Sequence, residues 1–304
     1  MRYGAGVLRL LVVCAVALAG AADAREARVV VDFEYEDARD FKEGRAAVKS
    51  RDLWGYIDTT GKVVIPFSYK VPEVGPFSDG FAFVGSSFID TGGGAAFEGK
   101  TFERAHAFSE GLAAVQTGGQ WGFIDSAGRF AVPPAYEDAG SFSGGLAPVK
   151  RDGLWGYIDM RGRLLISPRY LRAGSFGGEG RNRAPVDLNG KVGYIDRSGR
   201  FAIAPAYDEG GEFRGALAPV KGPSARHDWG YIDAAGREVI ARQFNGAGAF
   251  SEGLAPVATD ARWGYIDVQG RLTLDALYDS ARPFSEGLAA VEQDNRWGYI
   301  HQGR

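Results

Sequence analysis

The chain has 304 residues, and its 35 Lys and Arg against 38 Asp and Glu give a net charge of −3, too mild and too scattered for a nucleic-acid binder. Its one cysteine is Cys14, so the chain beyond it has neither a disulfide framework nor a thiol nucleophile. Beyond residue 24 no apolar run approaches the roughly 20 residues that a membrane-spanning helix needs.

In chain order, the first segment reads as a targeting signal. Arg2 and Arg9 precede the apolar "LRLLVVCAVALAGA", and "ADA" at 22–24 fits a small-residue cleavage site. Residues 1–24 are therefore expected to be a signal peptide cleaved after Ala24, and 25–304 a single domain in the periplasm or outside the cell. Cys14 lacks the small residue before it that a lipid-anchored cysteine would have.

Next comes "RVVVDFEY" (28–35), which aligns with "KVVIPFSY" (62–69), and from there the chain repeats. Asp58, Asp90, Asp125, Asp159, Asp196, Asp233 and Asp267 each follow an isoleucine, at spacings of 32, 35, 34, 37, 37 and 34 residues. Ile300 followed by His301 ends an eighth copy. Self-similarity at this period marks a repeat architecture.

Each unit holds three strand-like runs rich in Val, Ile and aromatics: "GLAPV" (145–149), "WGYID" (155–159) and an apolar third such as "RFAVP" (129–133). Between second and third runs the chain writes Asp-x-x-Gly. The Asp carboxylate holds the turn's backbone and the Gly supplies positive φ, so the recurrent Asp reads as structural. Proline enters the first run (Pro148, Pro185, Pro219, Pro256) and the third (Pro66, Pro133, Pro168, Pro205) but never "WGYID", which places the Trp-Gly strand in the interior of the sheet. The expected unit is a three-stranded meander. A segment such as "YEDAGSFSGG" (136–145) links units, as a short fourth strand or an ordered loop.

All six tryptophans, Trp54, Trp121, Trp155, Trp229, Trp263 and Trp297, precede a glycine. Apolar residues on both faces of "WGYID" require a neighbour on each side, so Trp-Gly is expected to pack unit against unit, with the glycine admitting the next unit's indole. "FSEGLAPVATDARWGYIDVQGRLTLDALY" (250–278) resembles the WG-repeat family of bacteria throughout, and the resemblance runs over about 28–301. Ser86-Ser87 and Val192-Gly193 replace Trp-Gly in the second and fifth units. The resemblance implies a binding role and brings no catalytic residues.

The fold class expected is all-β: eight units of about 34 residues in a closed propeller-like ring, because a chain that opens on a third strand and ends after a second strand can complete one unit from both ends. The alternative is an open β-solenoid.

Little of the chemistry of sites is present. His106, His227 and His301 lack metal spacing, "GGEG" (177–180) and "TGGG" (91–94) lack a following helix, and no G-x-S-x-G appears. No enzyme activity, cofactor or metal is expected. The glutamates of "FSEG" (Glu110, Glu252, Glu286), replaced by Gly144 and Arg214 elsewhere, read as solvated turn residues. Three irregular segments stand out: 85–106, 169–191 and 221–228. The second concentrates Arg169, Arg172, Arg181, Arg183 and Lys191, a candidate patch for an acidic protein or anionic glycan, and extra loops of a ring are expected on one rim. The function expected is an exported, non-catalytic scaffold binding another envelope or extracellular protein. The alternative is cell-wall glycan or peptidoglycan binding on aromatic platforms.

Overall fold

The computed structural model describes residues 27–72, 74–177, 182–223 and 228–303. The expected signal segment, Arg181 and His227 lie outside them. Every named element is a strand, arranged as seven four-stranded antiparallel sheets and one two-stranded sheet. We number these blades I to VIII from residue 37 onwards.

Blade I sets the pattern: Asp37–Ala38, Arg45–Ser50, Leu53–Asp58 and Val63–Tyr69 lie in that order across the sheet. The linking segment thus supplies a two-residue fourth strand, and the meander has four strands instead of three. Blades III to VII repeat this order over 104–136, 138–170, 172–207, 209–244 and 246–278. Blade II keeps only Phe81–Val84 and Ser87–Asp90 as named strands. The Trp-Gly strand, or its Val192-Gly193 counterpart in blade V, is interior in every four-stranded blade, as its lack of proline predicts.

Eight hydrophobic seams join the blades, each uniting the third strand of one blade with the inner strands of the next. One seam places Trp297 and Tyr299 of blade VIII against Ala46, Val48 and Ile57 of blade I, so the series has no open end. Arg28–Tyr35 pairs antiparallel with Arg296–His301, Arg28 opposite His301 and Val29 opposite Ile300. The first strand of the domain completes the last blade, and the fold is a closed propeller ring.

The joint across six of the seams is chiefly the tyrosine of the "WGYID" strand, or of its Val192-Gly193 counterpart in blade V. Tyr157, fully buried, packs its ring at 5.1 Å from Phe176 of blade V and donates its hydroxyl to the Gly174 carbonyl at 2.8 Å. Tyr56, Tyr194, Tyr231, Tyr265 and Tyr299 do the same to Gly75, Gly211, Gly248, Arg282 and Arg39 of the following blade. Desolvation raises the pKa of each of these phenols, which keeps them donors. The indoles belong to the same seams at their rim, with Trp54 and Trp121 buried and Trp155, Trp229 and Trp263 half-buried.

The glycine after tryptophan has another cause than the one expected. A Cβ on Gly156 would stand 2.4 Å from the Ile166 carbonyl oxygen of its own blade, and one on Gly122 2.6 Å from that of Val132. The outer strand bulges at these points, between Tyr157–Ile166 and Trp155–Tyr170, and its main chain leans over the third strand. Glycine makes room for that bulge, not for a neighbouring indole.

The Asp turns are as the sequence indicates. Asp159 Oδ1 accepts the N–H groups of Arg161 at 3.0 Å and Arg163 at 2.9 Å, and Gly162 sits at φ 77°. These carboxyls titrate low. Hydroxyls of Thr60 and Ser198 hold down Asp58 and Asp196, and the Arg129 N–H holds down Asp125. For Asp159, Asp233 and Asp267 desolvation pushes upward, and the N–H and guanidinium of the following arginine outweigh it.

Candidate binding site at the hub

Turns that face one concavity across four blades, as those at Ser109, Ser143, Ser175 and Arg214 do, surround the hub of the ring. The turns between innermost and second strands do so. Glu43 Oε2 accepts Gly80 N–H at 3.0 Å, Asp79 accepts Gly111 at 3.2 Å, Glu252 accepts Gly287 at 3.0 Å and Glu286 accepts Gly44 at 2.9 Å. Glu110 grips two successive amides, Gly144 and Gly145, each at 2.8 Å. The "FSEG" acids sit in solvated turns, with Glu252 and Glu286 exposed, and there they also clasp blade to blade. All five stand at left-handed φ of 52–56°, a conformation that disfavours a side chain, and the charge-assisted bonds offset that strain.

These clasps run continuously from blade VII through VIII, I, II and III to IV. In blade IV the clasp position is Gly144 and in blade VI it is Gly215, because the bridges Ser143 to Leu146 and Arg214 to Leu217 align Arg214 with the serine of the motif. Arg214, read from sequence as the replacement for the glutamate, is thus one residue off that position. In blade V the turn is three residues longer, between the bridged Gly177 and Arg183. The arc of blades IV to VI lacks a carboxylate clasp among the described residues.

Two neighbouring concavities open there, on the face that carries these turns. One, of about 310 Å³, crosses four blades and includes Ser109, Ser143, Ser175, Glu212, Phe213 and Arg214. The other, of about 410 Å³, lies between blades V and VI and includes Gly177, Asn182, Arg183, Gly215, Ala216 and Arg237. The Nε of Arg183 is buried there without a hydrogen-bond partner.

The tryptophans divide along nearly the same line. Arg39, His106 and Arg282 lie over Trp54, Trp121 and Trp297 at 5.1, 5.0 and 5.2 Å. In blades IV to VII the covering residue is Gly140, Gly174, Gly211 or Gly248, and a Cβ there would strike Pro148, Pro185, Pro219 or Pro256 at 2.6–2.8 Å. Proline in the second strand thus demands glycine opposite, which leaves the indoles of blades IV, VI and VII partly bare. On the opposite face Trp229, Pro185, Gly174 and Gly211 line a further cavity of about 290 Å³. Glu212 borders it as well as the 310 Å³ concavity, and its Oε1 accepts Ser175 N–H at 2.9 Å.

Of the five basic residues of 169–191, the four described ones do not gather into one patch. Arg172 pairs with Asp187 at 2.9 Å and Lys191 with Asp208, at the hairpin end of blade V. Arg169 donates to the Gly199 carbonyl of the next blade. Arg183 stands at the other end of the blade, on the clasp face. The strands on either side of segment 221–228 close at Lys221 and Trp229, the hairpin end, opposite the end where Gly177 and Arg183 bridge. The expectation that these loops share one rim fails because each replaces a different turn of the meander. In segment 85–106, which is otherwise largely exposed, Phe88, Phe97 and Phe102 cluster with Phe108 against blade III. Among the described residues no group of three or more His, Cys, Asp and Glu is placed to hold a metal ion.

The family model for the WG containing repeat matches eight segments: 25–54, 54–85, 87–121, 121–155, 155–191, 193–221, 229–261 and 263–297. The chain belongs to the WG-repeat family. No curated protein sequence matches it. Among solved structures, one described as the eukaryotic initiation factor is similar at TM-score 0.60 and 12% identity, covering 88% of this chain and 85% of that one. AztD of Citrobacter koseri is similar at TM-score 0.51 and 15% identity, covering 79% of this chain and 86% of that chain. At such identities the likeness is one of fold, and what this WG-repeat ring binds must be argued from its own residues.

Proposed function

We propose that this WG-repeat protein is an exported, non-catalytic scaffold that binds another envelope or extracellular protein through the clasp-face hub of blades IV to VI. The observation that carries the reading is the coincidence, in one arc, of glycine at the two described clasp positions, Gly144 and Gly215, with two adjoining concavities. A ring already held by its seams can leave one arc of its hub open for a partner. Export is supported by the basic, apolar and small-residue order of residues 1–24. No helix among the described residues is long and apolar enough to cross a membrane.

A second reading has its own observation. The half-bare indole of Trp229 beside a cavity of about 290 Å³ on the opposite face suits stacking of a sugar ring. Capture on purified cell wall, set beside capture with envelope extract, separates the two. The scaffold reading expects a discrete protein from the extract that is lost on Arg183→Glu. Retention on wall material alone, abolished by Trp229→Ala and indifferent to Arg183→Glu, rejects it.

A further inference from the structure

We infer that the indole of Trp263, at the hairpin ends of blades VII and VIII, is an acceptor for a cationic side chain, an arginine carried by a protein partner. The site lies on the face opposite the clasps and is independent of what the hub binds.

The repeat itself shows what these indoles hold. In each four-stranded blade a row of residues crosses the sheet beside the hairpin: Asp37, Lys49 and Trp54 in blade I, Glu209, Lys221 and Trp229 in blade VI. Two residues further along the innermost strand comes the cover, Arg39 over Trp54 at 5.1 Å and Arg282 over Trp297 at 5.2 Å. His106 lies parallel to Trp121 at 5.0 Å, Lys221 stands 6.0 Å over Trp229, and Lys150 is the cross-strand neighbour of Trp155. Five of the six tryptophans thus have a basic side chain of their own blade beside them.

Trp263 is the sixth. Its row reads Gly246, Ala258, Trp263, and its cover is Gly248, so no neighbour in these positions has a side chain longer than a methyl. The indole has settled into the gap: Cη2 and Cζ2 lie 2.9 and 3.1 Å from where a Cβ on Gly246 would stand. It packs against Ala281 of blade VIII and remains half-buried. Among the described residues no Lys, Arg or His lies over it.

The charge nearby has the matching sign. The hairpin ends of the two blades carry Asp260, Asp279 and Asp294 against Arg262 and Arg296, and Arg262 is already paired with Asp279. The face of an indole attracts a cation, and a guanidinium suits it best because it is flat, weakly hydrated and can keep its N–H groups in water. Blade VII cannot supply that cation itself, since a Cβ on Gly248 would stand 2.6 Å from the Pro256 ring. Where the cover is Arg39, His106 or Arg282, the residue in the place of Pro256 is Ala47, Ala114 or Ala290.

The test is a titration of the ¹⁵N-labelled protein with N-acetyl-arginine-N-methylamide, its neutral citrulline counterpart and N-acetylglucosamine, at matched ionic strength. The indole N–H signal of Trp263, assigned by its loss in Trp263→Phe, should shift saturably with the arginine probe, while those of Trp54 and Trp297 stay in place beneath Arg39 and Arg282. The citrulline probe should bind roughly fivefold more weakly, the worth of one exposed cation–π contact. Gly248→Arg combined with Pro256→Ala gives blade VII the residues of blade VIII and should abolish the response, with the other five indole signals unmoved as the sign of an intact ring. Absence of a saturable Trp263 shift up to the solubility of the arginine probe overturns the site, and a response that survives the double substitution overturns its location. An equal response to citrulline overturns cation recognition, and a stronger response to N-acetylglucosamine replaces the protein partner with a sugar.

Discussion

Two arcs of one ring, built from the same repeat, differ in what they spend their hub residues on. From blade VII round to blade III an acidic residue in a left-handed turn grips the amide of the next blade. Across blades VIII, I and III an arginine or histidine also lies over the tryptophan. From blade IV to blade VI glycine stands at the clasp where the turn is described, and from blade IV to blade VII glycine stands at the cover. The seams themselves do not change: the phenols of Tyr157, Tyr194 and Tyr231 cross to the next blade in the open arc as Tyr299 does in the closed one. Stability resides in the seam, and the hub turns are free to vary.

That division predicts unequal responses to equal mutations. Trp54→Ala removes a buried indole under Arg39 and should cost about 3–5 kcal/mol in urea unfolding, while Trp155→Ala, half-exposed opposite Gly140, should cost about half of that or less. Equal losses would erase the distinction between covered and bare tryptophans. Gly156→Ala should destabilise by about 1–3 kcal/mol despite the small volume added, because the bulged main chain at Ile166 cannot retreat.

Tyr157→Phe leaves the half-buried carbonyl of Gly174 without its donor and should cost about 1 kcal/mol. Blade III, which carries Phe123 at this position, is the natural control, and Phe123→Tyr should be neutral or stabilising. Smaller effects belong to the clasps. Glu110→Gln should lower stability by about 1 kcal/mol, and Gly215→Glu, which writes a clasp toward Gly253, should raise it by a fraction of that. A gain from Gly215→Glu accompanied by loss of partner binding would sharpen the comparison most.

The smallest effect is spread around the ring. The turn carboxyls Asp58, Asp125, Asp159, Asp196, Asp233 and Asp267 titrate below the ordinary 3.8. A carboxyl depressed in the folded state stabilises above its unfolded pKa and loses that contribution as pH falls through the folded one. Unfolding midpoints should therefore hold from neutrality down to about pH 4 and decline below it. Asp267→Asn should flatten the decline, which a pH series of thermal melts will show.

Much of the architecture was legible because the repeat writes it six or more times. The Asp-x-x-Gly turns, the proline-free interior strand and the phase of the first and last strands each have a local physical cause, and the structure places them as the residues indicate. What the sequence hid lies between blades. Nothing local says that Tyr157 reaches Gly174, or that the glycine after tryptophan serves the bulge of its own sheet. The clasps were hidden for the same reason, although an acid recurring just before the glycine of "GLA" was a signal: such a residue in a left-handed turn needs a compensating bond. The basic segment 169–191 looked like a patch because residues close in sequence need not share a face, and in a meander they alternate between two.

The most direct measurement is hydrogen exchange at the hub amides, residue by residue. Clasped amides at Gly44, Gly111, Gly144, Gly145 and Gly287 should be protected, while Gly215, Ala216 and Gly253 exchange at rates near those of an open turn. Equal protection in the two arcs would mean that the hub is uniformly closed, and the open arc would lose its claim to be the binding side of the ring.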